Sequence, residues 1–183
     1  MDRTEWAAAR GWWQMTTNSR RTALAVLLLS FTAGIGGLHA QPNDFAFRFQ
    51  FGCDGTEVLD TFSGSFTQNA SLGSVKSVTI PLSLSPEQMR AIFETIQKIR
   101  FFEYPEVFVG LRADAKEMIT TTPSPLYRFE VRQAGRSHVV SWDDNTTPSS
   151  DEADRLRQLF QMIRGFIRAH PDTKRLPPQF PCE

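Results

Sequence analysis

Hydrophobic and polar residues alternate strictly over residues 44–51. Every second residue from Phe45 to Phe51 in "DFAFRFQF" is phenylalanine, and the residues between them are small or polar. A period of two residues places the phenylalanines on one face of a half-buried strand. The pattern therefore predicts a first strand whose aromatic face packs in the core.

Two more alternating stretches follow. The period of residues 57–67 predicts a single second strand with Val58, Phe62 and Phe66 on one face. The stretch "VKSVTIPLSL" predicts a third strand, but Pro81 lacks the N–H that a strand between two neighbours needs. The third strand is therefore expected at an edge of the sheet or with a bulge at the proline.

Two segments carry the period of amphipathic helices. In "LSPEQM", Ser85 can cap a helix, the proline after it suits the first position, and Gln88 completes a capping box. The apolar stripe that follows consists of Met89, Ile92, Phe93, Ile96 and Ile99. A second helix with a similar stripe is predicted from a capping box of Ser149 and Glu152 to Pro171.

Between the helices, "LYRFEVRQ" and "SHVVSW" alternate and are joined by "AGR", which predicts a hairpin with His138, Val140 and Trp142 on one face. Residues 105–125 are expected to be irregular, with a short extended piece at "EMITTT". The order strands, helix, strands, helix predicts an α+β domain. Its antiparallel sheet is expected to carry both amphipathic helices on one face.

The N-terminal segment has the anatomy of a secretory signal peptide. Arg20 and Arg21 precede a short apolar core, which gives way to glycines and a small residue, Ala40. The predicted organisation is a signal peptide over 1–40, one domain over 41–172, and a Pro-rich tail over 173–183.

Several alternatives remain open for this segment. Translation could begin at Met15, and the segment could be retained as an uncleaved anchor helix. "SRRTAL" also resembles a twin-arginine export signal, although the absence of a cofactor motif favours general secretion. The chain is accordingly expected to be secreted or periplasmic, with no membrane association after cleavage.

The chain has two cysteines, Cys53 and Cys182, and both follow the predicted cleavage site. An even number of cysteines in an oxidising compartment predicts a disulfide, with two unpaired thiols as the alternative. The chain also carries 20 basic and 20 acidic residues, and no basic stretch follows residue 40. A near-neutral balance argues against nucleic acid as a partner.

Few residues are arranged for chemistry. His138 shares a face with core residues, and His170 lies at a helix end, so neither has metal-ligand spacing. Ser141 is expected to point away from His138 and Asp143, which argues against a catalytic triad. The sequence indicates no catalytic residue, no metal and no cofactor.

The strongest candidate for a binding segment is "FFEYPEVF". Its aromatic residues are Phe101, Phe102, Tyr104 and Phe108. Clustered aromatics are frequent at partner-binding surfaces, and equally they close the end of a hydrophobic core. Both interpretations are open at this point.

The motif "FGCDGT" resembles that of an uncharacterised family of exported bacterial α+β domains, in which a strand ends in Gly-Cys-x-Gly-Thr-Cys-Pro. Gly52, Cys53, Gly55 and Thr56 match, while Glu57 and the valine after it replace the family's second cysteine and proline. The resemblance implies the α+β layout and export but no known activity.

The expectation from sequence is an exported, non-catalytic binding or structural module of the cell envelope, with an unknown ligand or protein partner. One alternative is a small secreted hydrolase whose site is assembled from distant residues. Another is a partner-binding inhibitor that uses residues 101–108. The sequence leaves the oligomeric state open.

Overall fold

The computed structural model describes residues 41–52, 55–69 and 77–176. Within these ranges it contains a seven-stranded sheet, a two-stranded sheet and two helices, which confirms the predicted α+β class. The predicted signal peptide, Cys53, Cys182 and the end of the predicted tail lie outside the described residues, so these remain predictions.

The sheet is mixed but mostly antiparallel. The strands are β1 (Ala46–Phe51), β2 (Glu57–Asp60), β3 (Ser65–Gln68), β4 (Val78–Pro81), β5 (Val107–Phe108), β6 (Ile119–Thr120), β7 (Leu126–Gln133), β8 (Arg136–Asp143) and β9 (Thr146–Thr147). The helices are α1 (Pro86–Lys98) and α2 (Asp151–Ala169), with 3-10 turns at Phe101–Glu103 and Pro171–Arg175. The order of the large sheet is β4-β3-β2-β1-β7-β8-β5, and only the β5–β8 pair is parallel.

The aromatic face of β1 forms the centre of the core, as the alternation predicted. Phe47 and Phe49 are fully buried, and Phe49 lies opposite Leu59 on one side and Phe129 on the other. Both helices cover this same face, hereafter the helix face: the Phe93 ring of α1 lies 5.2 Å from that of Phe45, and α2 contributes Phe160. The other face, here called the open face, carries polar residues.

The open face has one ordered ion pair near its middle. Arg48 donates to Asp60 from Nη2 at 2.7 Å, across the β1–β2 pair. Burial alone would raise the pKa of Asp60, but the Arg48 hydrogen bond and the backbone N–H of Phe62 outweigh it and lower that pKa. No described element packs on this part of the open face, so the pair stays in contact with solvent.

The prediction of one strand over residues 57–67 was wrong, because the chain folds back as the β2–β3 hairpin. Asp60 Oδ1 accepts the backbone N–H of Phe62 at 2.9 Å, and Gly64 adopts a left-handed φ of 66°. An Asp side chain that binds the backbone two residues on, followed by glycine, favours a turn over a continuing strand. Phe62 is consequently 37% exposed on the turn.

The helix start of α1 is as predicted. Ser85 Oγ accepts the backbone N–H of Gln88 at 3.2 Å, and the Gln88 side chain accepts that of Ser85 at 2.8 Å. The strand before it, β4, is an edge strand that ends at Pro81, which confirms the interpretation of that proline. Both features follow from local chemistry.

The cap of α2 lies one residue later than predicted. Ser150, not Ser149, is the N-cap, and its Oγ accepts the N–H of Ala153 at 3.2 Å. The reason is tertiary, because the Ser150 N–H donates to the Gly110 carbonyl at 2.8 Å and holds Ser150 extended. At the other end the chain stays ordered past residue 172, since Pro171–Arg175 forms a 3-10 turn where the tail was expected to be irregular.

The β7–β8 hairpin is confirmed, and its turn fixes the start of the domain. Ala134 and Gly135 both have positive φ, 50° and 72°, as a tight two-residue hairpin turn requires. Their N–H groups donate to the Asp44 carboxylate at 2.8 Å each. These bonds, that of Gly135 first, lower the pKa of Asp44.

Candidate functional site

The aromatic segment 101–108 closes the end of the core. Phe101, Tyr104 and Phe108 are buried, and Phe102 packs against them half-buried. The Tyr104 hydroxyl donates to the Glu152 carbonyl at 3.1 Å, which ties the segment to the first turn of α2. The segment then leads into β5, a strand that the sequence did not predict.

The structure does not bring together the residues of the hydrolase alternative. His138 lies on the helix face, where its Nε2–H donates to the Tyr104 carbonyl at 2.8 Å and its ring stacks against Phe102. Ser141 and Asp143 both lie on the open face of β8. The expectation that Asp143 shares the face of His138 was wrong, because only residues an even number apart share a face of a strand.

Exposed apolar side chains concentrate at one corner of the molecule. Six large apolar side chains of the described residues are exposed, and five of them belong to β5, the segment around β6, and the start of β7. These five, here called the apolar corner, are Val107, Val109, Met118, Ile119 and Leu126. Val107 is 75% exposed and Val109 59% exposed, so the corner is an open apolar surface.

A cleft of about 490 Å³ lies within the apolar corner. Val107, Val109, Met118 and Leu126 form its apolar wall, together with parts of three core aromatic rings. Its polar wall is formed by Ser141, Asp143, Asn145, Thr120 and Thr146. This combination of an apolar lining with a few convergent polar groups is typical of small-molecule sites.

Asp143 is the one charged group in the wall of the cleft. Its Oδ1 accepts the Ser124 hydroxyl at 2.5 Å, and its Oδ2 accepts the Asn145 amide at 2.9 Å. No salt bridge joins Asp143 to a described residue. The other ionisable lining residue, Tyr127, is neutral at neutral pH, and burial raises its pKa still further above the ordinary value of 10.0. Asp143 therefore contributes one carboxylate without a salt-bridge partner among the described residues, while Arg128 donates to Ser141 of the same wall at 3.3 Å.

Ion pairing behind the cleft holds the β8–β9 turn in place. Arg157 of α2 donates to both carboxylate oxygens of Asp144, at 2.8 and 2.6 Å, and its guanidinium lies 5.3 Å from the centre of the Trp142 ring. The hydrogen bond to Asp144 raises the pKa of Arg157, which stays charged. Asp143 and Asp144 are thus neighbours with different surroundings, one facing the cleft and one paired.

A close backbone approach fixes the other side of the corner. A Cβ on Gly110 would lie 2.9 Å from the Ala153 Cβ and 3.1 Å from the Trp142 ring. Only glycine lets the chain after β5 pass this close to the start of α2. Val109 precedes Gly110 directly, so the packing of Gly110 against Ala153 and Trp142 also fixes the position of Val109.

Two polar atoms in the residues of the cleft wall are buried without a hydrogen-bond partner in the described part of the chain. They are Trp142 Nε1 and Thr146 Oγ1. Buried polar groups are normally paired, so these two atoms are an exception within the wall of the cleft.

The carboxyl group of Glu57 lies near α2 and does not line the cleft. Burial raises the pKa of the Glu57 carboxyl, and the nearby Arg164 acts against that shift. Arg164 also lies over the Phe51 ring at 5.4 Å. These contacts hold α2 against the ends of β1 and β2.

Two features are absent from the described residues, namely a cluster of metal-ligating side chains and a helix that could span a membrane. These residues hold no group of three or more His, Cys, Asp or Glu side chains placed to share a metal ion. Among the helices of that part of the chain, none is both long and apolar enough to cross a bilayer. No family model, curated protein or solved structure matches the chain.

Proposed function

We propose that this protein is an exported, non-catalytic binding module of the cell envelope and that the cleft in the apolar corner is its binding site. The observation that carries this proposal is that four of the six large apolar side chains exposed among the described residues line one cleft. Soluble domains rarely expose contiguous apolar surface without a use for it.

The charge of the cleft indicates the class of ligand. Among its wall residues only Asp143 has a charged side chain, and no described residue forms a salt bridge with it. A complementary ligand has an apolar body and one cationic group, such as an organic ammonium ion. At about 4 Å, two opposite charges near a protein surface attract by about 4 kcal/mol before desolvation is subtracted.

The hydrolase alternative receives less support from the same geometry. It needs His138, Asp143 and Asp144 to face one pocket, but His138 is bonded to the Tyr104 carbonyl and Asp144 to Arg157. Only Asp143 faces the cleft. An inhibitor role for residues 101–108 is also less favoured, because most of their aromatic side chains are buried.

The test compares two amphiphiles of equal chain length, octyltrimethylammonium and octyl sulfate, by calorimetry below their micellar concentrations. The cation is expected to bind about tenfold more tightly, which corresponds to about 1.4 kcal/mol. Asp143→Asn should remove this preference because it removes the charge but keeps the shape. Glu94→Gln, at an exposed carboxylate on α1, is the matched control and should keep the preference.

Equal affinity for both amphiphiles in the unaltered protein would rule out the proposed ligand class. Binding that persists at full strength in Leu126→Lys would place the site elsewhere, since Leu126 forms part of the apolar wall. Far-UV circular dichroism with each amphiphile checks that the protein stays folded.

Export and the disulfide are part of the same proposal. Gly52 and Gly55 bracket Cys53 at the end of β1, and Leu176 packs against the core six residues before Cys182. Six residues span up to about 20 Å when extended, which gives the tail room to reach back over the domain. A bond between the cysteines would tie the tail to the β1–β2 connection.

In non-reducing electrophoresis, the exported chain is expected to migrate faster than its reduced form, because an internal disulfide keeps the denatured chain compact. N-terminal sequencing of the same band is expected to begin near Gln41. A band at twice the mass, or ready labelling of both thiols without reductant, would argue against the internal bond.

A further inference from the structure

At the outer edge of β5, backbone groups are without hydrogen-bond partners among the described residues. The carbonyls of Glu106 and Gly110 accept the N–H groups of Ser141 and Ser150, at 2.7 and 2.8 Å, so these residues face the body of the protein. Backbone groups of successive residues in a strand point to opposite sides. The N–H and C=O groups of Val107 and Val109 therefore point away from β8, toward the edge.

This edge differs from the edge at the other end of the sheet. On β4, Pro81 blunts the edge because it has no N–H to offer. At β5 and the residue that follows it, the outward-pointing residues are Val107 and Val109, and only Phe108 lies between them. Natural proteins usually protect a sheet edge, so an edge left apolar is a surface suited to strand pairing.

We propose that a second copy of this chain pairs with β5 in antiparallel fashion about a two-fold axis at Phe108. Val107 then lies opposite the partner's Val109, and Val109 opposite the partner's Val107. Residues that face each other in this register exchange both backbone bonds, which gives about four hydrogen bonds across the axis. All four valines lie side by side on the open face.

The charges beside the edge favour a second copy as the occupant. On the helix face, a pocket of about 230 Å³ next to Phe108 is rimmed by Arg100, Glu103, Glu152 and Arg155. They form two exposed acid–base pairs, at 2.8 and 2.6 Å. Because each pair is neutral, a two-fold axis brings a neutral set opposite an identical neutral set, and neither copy meets a net charge of its own sign there.

The pairing would also complete the binding site. Val107 and Val109 form part of the cleft wall, and the partner's two valines would extend that wall at its open end. The inference rests on the proposed function in so far as it takes the apolar corner as a binding surface. It adds that the site is shared between two copies.

The test is the mass of the full chain, in whichever processed form the host produces, measured by size-exclusion chromatography with light scattering. Reductant is present throughout, so that no disulfide contributes. Over about two decades of concentration the mass should rise to that of two chains. Val107→Lys with Val109→Lys places lysines opposite each other and should weaken the dimer at least about tenfold.

Ile119→Lys is the matched control, because it makes the same kind of change at an exposed apolar residue away from the β5 edge. It should leave the dimer unchanged. If the double variant does not fold, Val107→Lys alone serves, since that side chain is 75% exposed. Circular dichroism reports the fold of each variant.

A single-chain mass at every concentration would overturn the inference, and so would equal weakening by Ile119→Lys and the edge variants. The amphiphile experiment separates this outcome from failure of the proposed function. A monomer that still prefers the cation refutes only the shared site. A dimer that binds neither amphiphile refutes only the proposed ligand.

Discussion

Phe49→Ala is expected to lower the free energy of unfolding by about 3–5 kcal/mol, the range for a fully buried aromatic side chain. Phe49 has no exposed surface, and its ring packs 4.8 Å from both Phe51 and Phe160. Truncation removes contacts between the central strand and α2 at once, and the surrounding rings cannot fully collapse into the space. Urea unfolding followed by fluorescence or circular dichroism measures the loss.

Phe62→Ala is the matched control for this truncation. Phe62 lies on the β2–β3 turn, 37% exposed, with Arg132 over its ring at 4.8 Å. Its loss is expected to cost about 1 kcal/mol or less. If Phe47→Ala and Phe49→Ala both cost less than about 1 kcal/mol, the assignment of the aromatic face of β1 to the core is wrong.

The parts of the fold that local chemistry decides were predictable from the sequence. Alternation alone identified β1 and the β7–β8 hairpin, because one face of each strand is buried and the period of two leaves no choice of face. The start of α1 was predictable because Ser85 and Gln88 satisfy each other's backbone groups without outside help. In each case the deciding contacts lie within a few residues.

Errors arose where tertiary contacts compete with local patterns. The strand predicted over 57–67 ends at Asp60, because the Asp60 side chain accepts the backbone N–H of Phe62 and stabilises a turn. The alternating pattern does not distinguish this turn from a continuing strand. The cap of α2 moved to Ser150 because Gly110, forty residues earlier, accepts its N–H. Strand β5 has only two residues and is formed by parallel pairing with β8. Two residues are too few to show a period in the sequence.

The candidate site could not be assembled from the sequence for the same reason. Its wall combines Val107 and Val109 with Met118, Leu126 and Asp143, which meet through the β5–β8 and β7–β8 pairs. The aromatic residues of segment 101–108 drew attention in the sequence, yet they are mostly core. One local signal was present, namely the apolar "VFV" directly after a proline and a glutamate, too short to separate an edge strand from a loop.

Arg157→Ala is expected to destabilise the protein by about 2–3 kcal/mol. Asp144 is largely buried, and removing its bidentate partner leaves a poorly solvated carboxylate without compensation. The substitution also removes the cation–π contact with Trp142. Chemical unfolding measures the loss.

Arg155→Ala is the natural control, because Arg155 pairs with Glu152 at 2.6 Å on the exposed surface of the same helix, where an ion pair adds little to stability. A double-mutant cycle with Asp144→Asn isolates the pair: Arg157→Ala should cost much less once Asp144 is replaced by a neutral residue.

Equal losses for Arg157→Ala and Arg155→Ala would mean that the Arg157–Asp144 pair does not fix the β8–β9 turn. In that event Arg157→Ala would leave the affinity for octyltrimethylammonium unchanged. If the pair does fix the turn, the same variant should weaken that affinity, because Asp143 precedes Asp144 directly and shares its position in the turn.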